Sequence, residues 1–188
     1  ADGFTLDGYG TFDNSGTNLV IQGTNSGGVV QLKNHDSTED IELGQDYFRI
    51  KQGGSERMRI NSDGAITSSS QPAFQVTKSG HQSNIAVGTA TVTFDTEIFD
   101  QGSNFSSNAF TAPVTGKYQL SLMLYLDNLD SAANYYQAWI ATSNRGYYSI
   151  FDPDYGQDNG YMFINASILA DMDANDTAYV SIEMGANG

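Results

Sequence analysis

The segment Tyr118-Gln-Leu-Ser-Leu-Met-Leu-Tyr-Leu126 constrains the fold more than any other part of the chain. Tyr118, Leu120, Leu122, Leu124 and Leu126 share one parity; Gln119, Ser121, Met123 and Tyr125 share the other. A strand places the first set on one face, whereas a helix would scatter the leucines around its circumference. The segment therefore reads as a long strand with one face in a core. Met123 and Tyr125 on the second face suit contact with another subunit rather than bulk water. No window spaces apolar residues at three and four over two helical turns, so the fold class predicted is all-β.

Shorter runs follow the same logic. Residues 92–94, Ile98-Phe99, residues 135–141 with the only tryptophan, Trp139, then residues 147–151, 161–169 and 177–184 read as strands. Residues 161–169 are apolar almost throughout, which predicts burial on both faces. Gln101-Gly102-Ser103, Asn144-Arg145-Gly146, Asp158-Asn159-Gly160 and Asp173-Ala174-Asn175-Asp176 supply turns between them. Many short strands at this spacing predict a sandwich or barrel.

The first 70 residues differ. Thin strands are predicted at 18–22, 29–33, 41–43, 47–51, 57–60 and 65–67, with a hairpin around Gly53-Gly54. Such a segment can hardly bury a core alone. Trimerisation, each chain supplying one face of a shared narrow core, would let it do so. A polar joint, Thr67-Ser68-Ser69-Ser70-Gln71-Pro72, sets the boundary: residues 1–70 as a β-rich trimeric shaft segment, residues 71–188 as a head domain.

Within the head, Ala109-Phe-Thr-Ala-Pro-Val-Thr-Gly-Lys-Tyr118 leads straight into the alternating strand. Pro113 ends one strand and stiffens the corner, Gly116 permits the turn, and Tyr118 starts the next strand. With Ala73-Phe74, Val92-Thr-Phe-Asp95, Ile98-Phe99 and Phe105, this run makes residues 73–184 resemble the C1q/TNF-like family, where Phe-x-Ala/Cys-Pro-x-x-Gly-x-Tyr feeds a long central strand. Upstream, Phe48-Arg-Ile, Gly53-Gly54, Glu56-Arg-Met-Arg-Ile60 and Ser62-Asp63-Gly64 resemble a segment common in bacteriophage tail-fibre and virion-appendage proteins. The two resemblances imply a homotrimeric fibre carrying a ten-stranded C1q-like jelly-roll β-sandwich. They place it on a virion, as a tail or capsid fibre among other virion structural proteins.

The family closes with a last core strand of aromatic-Ser-Gly-aromatic pattern, which Gly185-Ala-Asn-Gly188 does not supply. Its absence predicts an open edge beside the first strand. Together with the start at Ala1 rather than Met, it also leads us to expect more chain than is given.

Composition excludes some functions. The absence of cysteine removes disulfides and thiol chemistry. Twenty-two acidic against 8 basic residues give a net charge of −14, which repels phosphate backbones, so no nucleic-acid partner is expected. No run approaches the ~20 apolar residues of a spanning helix, so no membrane insertion is expected. His35 and His81 sit in no motif, and no Gly-x-Ser-x-Gly elbow occurs. Asp152 and Asp154, flanking Pro153, lie too close in a turn for the opposed carboxylates of a glycosidase. Gly27-Gly28 and Gly53-Gly54 read as turn glycines. The chain reads as a binder, not an enzyme.

Two loops carry the candidate sites. Asp152, Asp154 and Asp158, among Tyr147, Tyr148, Tyr155 and Tyr161, combine rings that stack on sugars with oxygens that accept their hydroxyls. Asp171, Asp173 and Asp176 offer oxygens to calcium, the one candidate cofactor, although neither loop has EF-hand spacing. Ordinary packing of the rings and Asp-rich turns account for the same residues. The function expected is recognition of a host-surface glycan or protein receptor by the head. A purely structural virion fibre or decoration protein, or a bacterial C1q-like surface protein, is the alternative.

Overall fold

The computed structural model of the protein describes residues 10–13, 20–23, 30–33 and 38–186. The described residues contain strands and no helix. Two compact units divide the chain, Ala1–Gln71 and Pro72–Gly188. His35, Gly27 and Gly28 lie outside the described residues, as do parts of the strands predicted at 18–22 and 29–33.

In the first unit β1 (Gly10–Asp13) pairs antiparallel with β2 (Val20–Gly23). A five-stranded antiparallel sheet follows in sequence order: β3 (Val30–Lys33), β4 (Asp40–Leu43), β5 (Tyr47–Gln52), β6 (Ser55–Asn61) and β7 (Ile66–Thr67). Gly53 and Gly54 join β5 to β6 with φ of 59° and 73°, the left-handed pair that a type I′ hairpin turn requires. Register sorts the side chains completely. One face aligns Leu32, Ile41, Ile50 and Met58, then Leu43, Phe48, Ile60 and Ile66. The other aligns Gln31, Glu42, Arg49 and Arg59, then Lys33, Asp40, Lys51 and Glu56.

Burial on this sheet is inverted. Among the side chains described in this unit, only Asp40 and Glu42 are buried, while Leu32 is 64% and Ile66 66% exposed. Arg49 and Gln31 hydrogen-bond Glu42, and the Lys51 ammonium lies 3.1 Å from it. Arg49 and Arg59 also lie over the Tyr47 ring, 4.8 and 4.5 Å from its centroid. The charged face thus closes on itself, and among the described residues no second layer covers the apolar face.

The second unit contains β8 (Ala73–Thr77), β9 (Gly88–Thr91), β10 (Thr96–Gln101), β11 (Phe105–Ser106), β12 (Ala109–Thr111), β13 (Gly116–Leu129), β14 (Tyr136–Thr142), β15 (Gly146–Phe151), β16 (Asn159–Met172) and β17 (Thr177–Met184). A six-stranded antiparallel sheet runs β11-β12-β17-β14-β15, with β9 also on β17. The long strands β13 and β16 form a separate ribbon, and β8 pairs with β10. Phe110, Leu120, Leu122, Ile140, Ala170, Met172 and Ala178 are buried together, so the core lies between the inward faces of the sheet and the β13–β16 ribbon. Phe74 of β8 stacks on Phe105 and Phe110 at 5.1 Å each.

Two sequence expectations change. Residues 92–94 are not a strand. They bridge β9 and β10, with the Val92 N–H donating to the Val180 carbonyl and the Phe94 N–H to Asn108 Oδ1, so no ladder forms there. Strand β16 is buried on one face only, because nothing in this unit covers the outer side of its ribbon: Ile164 is buried while Phe163 and Leu169 are exposed. Among the described residues β13 pairs only with β16 and β8 only with β10. A partly open cavity of about 530 Å³ touches both strands, lined by Phe74, Val76, Leu120 and Leu122 with Phe110 and Val180.

Glu42 gives the first unit a pH signature. Chiefly the Arg49 guanidinium, helped by Lys51 and Gln31 and opposed by burial, holds its carboxyl at about 2 against an ordinary 4.5. Because the folded value is depressed, its contribution is present above about pH 4.5 and is lost as pH falls toward 2. Asp95 and Glu56 are also held low, so the difference between wild type and Glu42→Gln isolates this group. Denaturation followed by circular dichroism should show Glu42→Gln less stable at pH 7, with the gap closing between pH 4.5 and 2.

Candidate functional site

The seven residues of the predicted tyrosine–aspartate site fall in four places. The β15–β16 connection, residues 152–158, carries four of them. Asp152 Oδ1 accepts the Asp154 N–H at 3.0 Å, an Asx turn that uses this carboxylate locally. Asp158 Oδ1 accepts the Ser131 N–H at 3.1 Å and its hydroxyl at 3.0 Å, tying the loop to the β13–β14 connection. The Ser131 backbone N–H, and then its hydroxyl, hold the Asp158 carboxyl below the usual carboxylate range. Tyr155 and Asp158 meet at a shallow depression of about 340 Å³, shared with Gln157, Asn159 and Met162.

The other three tyrosines are elsewhere. Tyr147 faces inward opposite Ile140 and packs against the core cluster, so it is a structural ring. Tyr161 is 68% exposed on the outer face of the β13–β16 ribbon and stacks on Tyr125 at 5.8 Å. It belongs to an apolar surface with Tyr125, Phe163 and Met123, which is 74% exposed. Tyr148 points outward on the opposite side of the core, 64% exposed, and stacks on Trp139 with ring centroids 5.4 Å apart.

The second predicted cluster does not converge. Asp171 pairs with Arg145 at 2.8 Å. Asp173 Oδ1 lies 3.4 Å from the Thr115 hydroxyl. Asp176 Oδ2 accepts the Asp173 N–H and the Asn144 amide. These contacts close the β16–β17 turn, in which Asn175 adopts φ of 74°. Among the described residues no group of three or more acidic or histidine side chains could hold a metal ion. The three carboxylates named as the candidate calcium site thus have separate partners: Arg145 for Asp171, the Thr115 hydroxyl for Asp173, and Asn144 with the Asp173 N–H for Asp176.

Sequence reading missed the surface around Tyr148. Register aligns Tyr148, Trp139, Ser181 and Thr91 in one row and Ile150, Gln137, Glu183 and Thr89 in the next. Gln137 Nε2 donates to Glu183 Oε2 at 2.7 Å, and the Tyr135 hydroxyl donates to Oε1 at 2.7 Å. Those two bonds, Tyr135 first, hold the Glu183 carboxyl below its ordinary value. The signal available was parity: Trp139 shares it with the polar Gln137, not with Ala138 and Ile140, which are buried.

No protein-family model matches the chain, and no curated protein matches it significantly.

With Asp171, Asp173 and Asp176 held by separate protein partners, chelation by EDTA should leave the thermal midpoint of the intact chain unchanged. A fall of several degrees that calcium restores would reinstate a metal site.

Proposed function

We propose that this chain is one subunit of a homotrimeric virion fibre, with residues 1–70 as shaft and residues 71–188 as a C1q-like jelly-roll head that recognises the host cell surface by binding. One observation carries the reading: among the described residues, each unit groups exposed apolar side chains on one sheet face. In the first it is the face of Leu32, Ile41, Leu43 and Ile66; in the second it is the part of the ribbon that carries Met123, Tyr125, Tyr161 and Phe163, beyond the polar Ser121–Ser167 row. Contiguous apolar faces of this kind mark association surfaces. Burying one such side chain between subunits contributes about 1.5–3 kcal/mol.

Trimerisation suits the first unit because, among its described residues, the apolar side chains form no buried core, and three copies can close one around an axis. The jelly-roll reading draws on the six-stranded sheet facing the β13–β16 ribbon across one core, and on the position of Phe110, Pro113, Gly116 and Tyr118. Phe110 is buried, and the Tyr118 hydroxyl donates to the Val114 carbonyl at 2.6 Å across that corner. Outer faces left over after assembly, on β14, β15 and β17 and on the 152–158 loop, are the surfaces available to a receptor.

Purified chain, added in excess to host cells before the particle that carries it, should reduce adsorption in proportion to occupancy. Adsorption unchanged at saturating chain would make the head a structural cap that registers the fibre and decorates the particle.

A further inference from the structure

We propose that the outward face of β14, β15 and β17 binds a neutral, hydroxyl-rich saccharide, its C–H face on Trp139 and Tyr148 and its hydroxyls donating to Glu183. This inference rests on the reading of the head as a receptor-binding domain and names its ligand class.

Three features fit together. First, Trp139 and Tyr148 are stacked 30° from parallel and form a continuous apolar platform, with Ile150 exposed beside it in the next row. The Tyr148 ring lies over Gly146, where even a Cβ would come within 2.7 Å of it, so the ring lies down on the sheet. Second, the next register row places a carboxylate beside this platform. Glu183 is fixed from both sides, by the Tyr135 hydroxyl on one oxygen and the Gln137 amide on the other. The Thr89 hydroxyl also lies 3.4 Å from the Gln137-bonded oxygen, so the acceptor capacity left for ligand hydroxyls is chiefly on Oε1, which takes the Tyr135 hydroxyl alone among the described residues. Third, neighbouring cross-strand positions are about 5 Å apart, so rings and carboxylate together span one or two sugar residues.

Charge selects the class. An ionised Glu183 within a chain of net charge −14 repels carboxylated sugars, while neutral hydroxyls are donors that it accepts. A sheet face with two stacked rings and a preset acceptor needs little ordering on binding, which favours a weak, repeated contact of the sort a trimer multiplies.

Trp139 is the only tryptophan in the chain, so its fluorescence reports on this face alone. Intact protein would be titrated with hexamers of glucose, N-acetylglucosamine and mannose, and with galacturonic acid hexamer as the charged contrast. At least one neutral hexamer should change Trp139 emission saturably and the galacturonic acid hexamer should not. Tyr148→Ala should weaken that binding about tenfold with an unchanged melting curve, since its side chain is exposed. Failure of every neutral hexamer to perturb Trp139, or binding that survives Tyr148→Ala, overturns the proposal. If the chain still blocks adsorption in that case, the receptor reading stands and the receptor is a protein. Saccharide binding without adsorption block supports this proposal and removes the receptor reading.

Discussion

A β-sheet whose side chains sort by parity into one apolar and one polar face needs a second layer, and this requirement governs both units of the protein. In the sheet β3–β7 the polar face is satisfied internally. Glu42, only 2% exposed, is capped by Arg49, Lys51 and Gln31, and Arg49 and Arg59 cover Tyr47. The apolar face has no such partner. Removing either side of the Glu42 pairing would leave a buried charge uncompensated. Retaining it fixes which face of the sheet remains for association.

The second unit meets the same requirement half-way. Its six-stranded sheet and the β13–β16 ribbon cover each other's inner faces and bury Phe110, Ile140, Ile164 and Met172. Their outer faces then differ in chemistry. The ribbon carries Met123, Tyr125 and Phe163, an apolar surface suited to another subunit. The sheet carries a Trp–Tyr platform beside a hydrogen-bonded carboxylate, a surface suited to a polar ligand with one apolar side. On the proposed reading, assembly and recognition fall on opposite sides of one core.

Alternation made much of the fold legible in the sequence. The strand from Tyr118 to Leu126 was readable because its leucines keep one parity throughout, and Gly53-Gly54 marked the β5–β6 hairpin because few other residues accept two left-handed positions in a row. The site was much less legible. Tyr147 and Tyr148 are adjacent and face opposite ways, and only the pairing of β15 with β14 says which one is outside. The Gln137–Glu183 bond joins residues far apart in sequence, so no local pattern announces it. Apolar content misled at residues 161–169, because composition does not say whether the second face of a strand is covered within its own chain: Tyr161, Phe163 and Leu169 are exposed. The acidic run at the end of β16 was equally hard to read, because the partners of its carboxylates come from elsewhere in the chain: Arg145 for Asp171, Thr115 for Asp173 and Asn144 for Asp176.

If the uncovered apolar faces are closed by further copies of the same chain, the intact protein is a trimer in solution. Light scattering at micromolar concentration tests this directly. The expected mass is three times the 20.3 kDa of a single chain, unchanged on moderate dilution. A particle of 20.3 kDa that stays soluble and folded would contradict it.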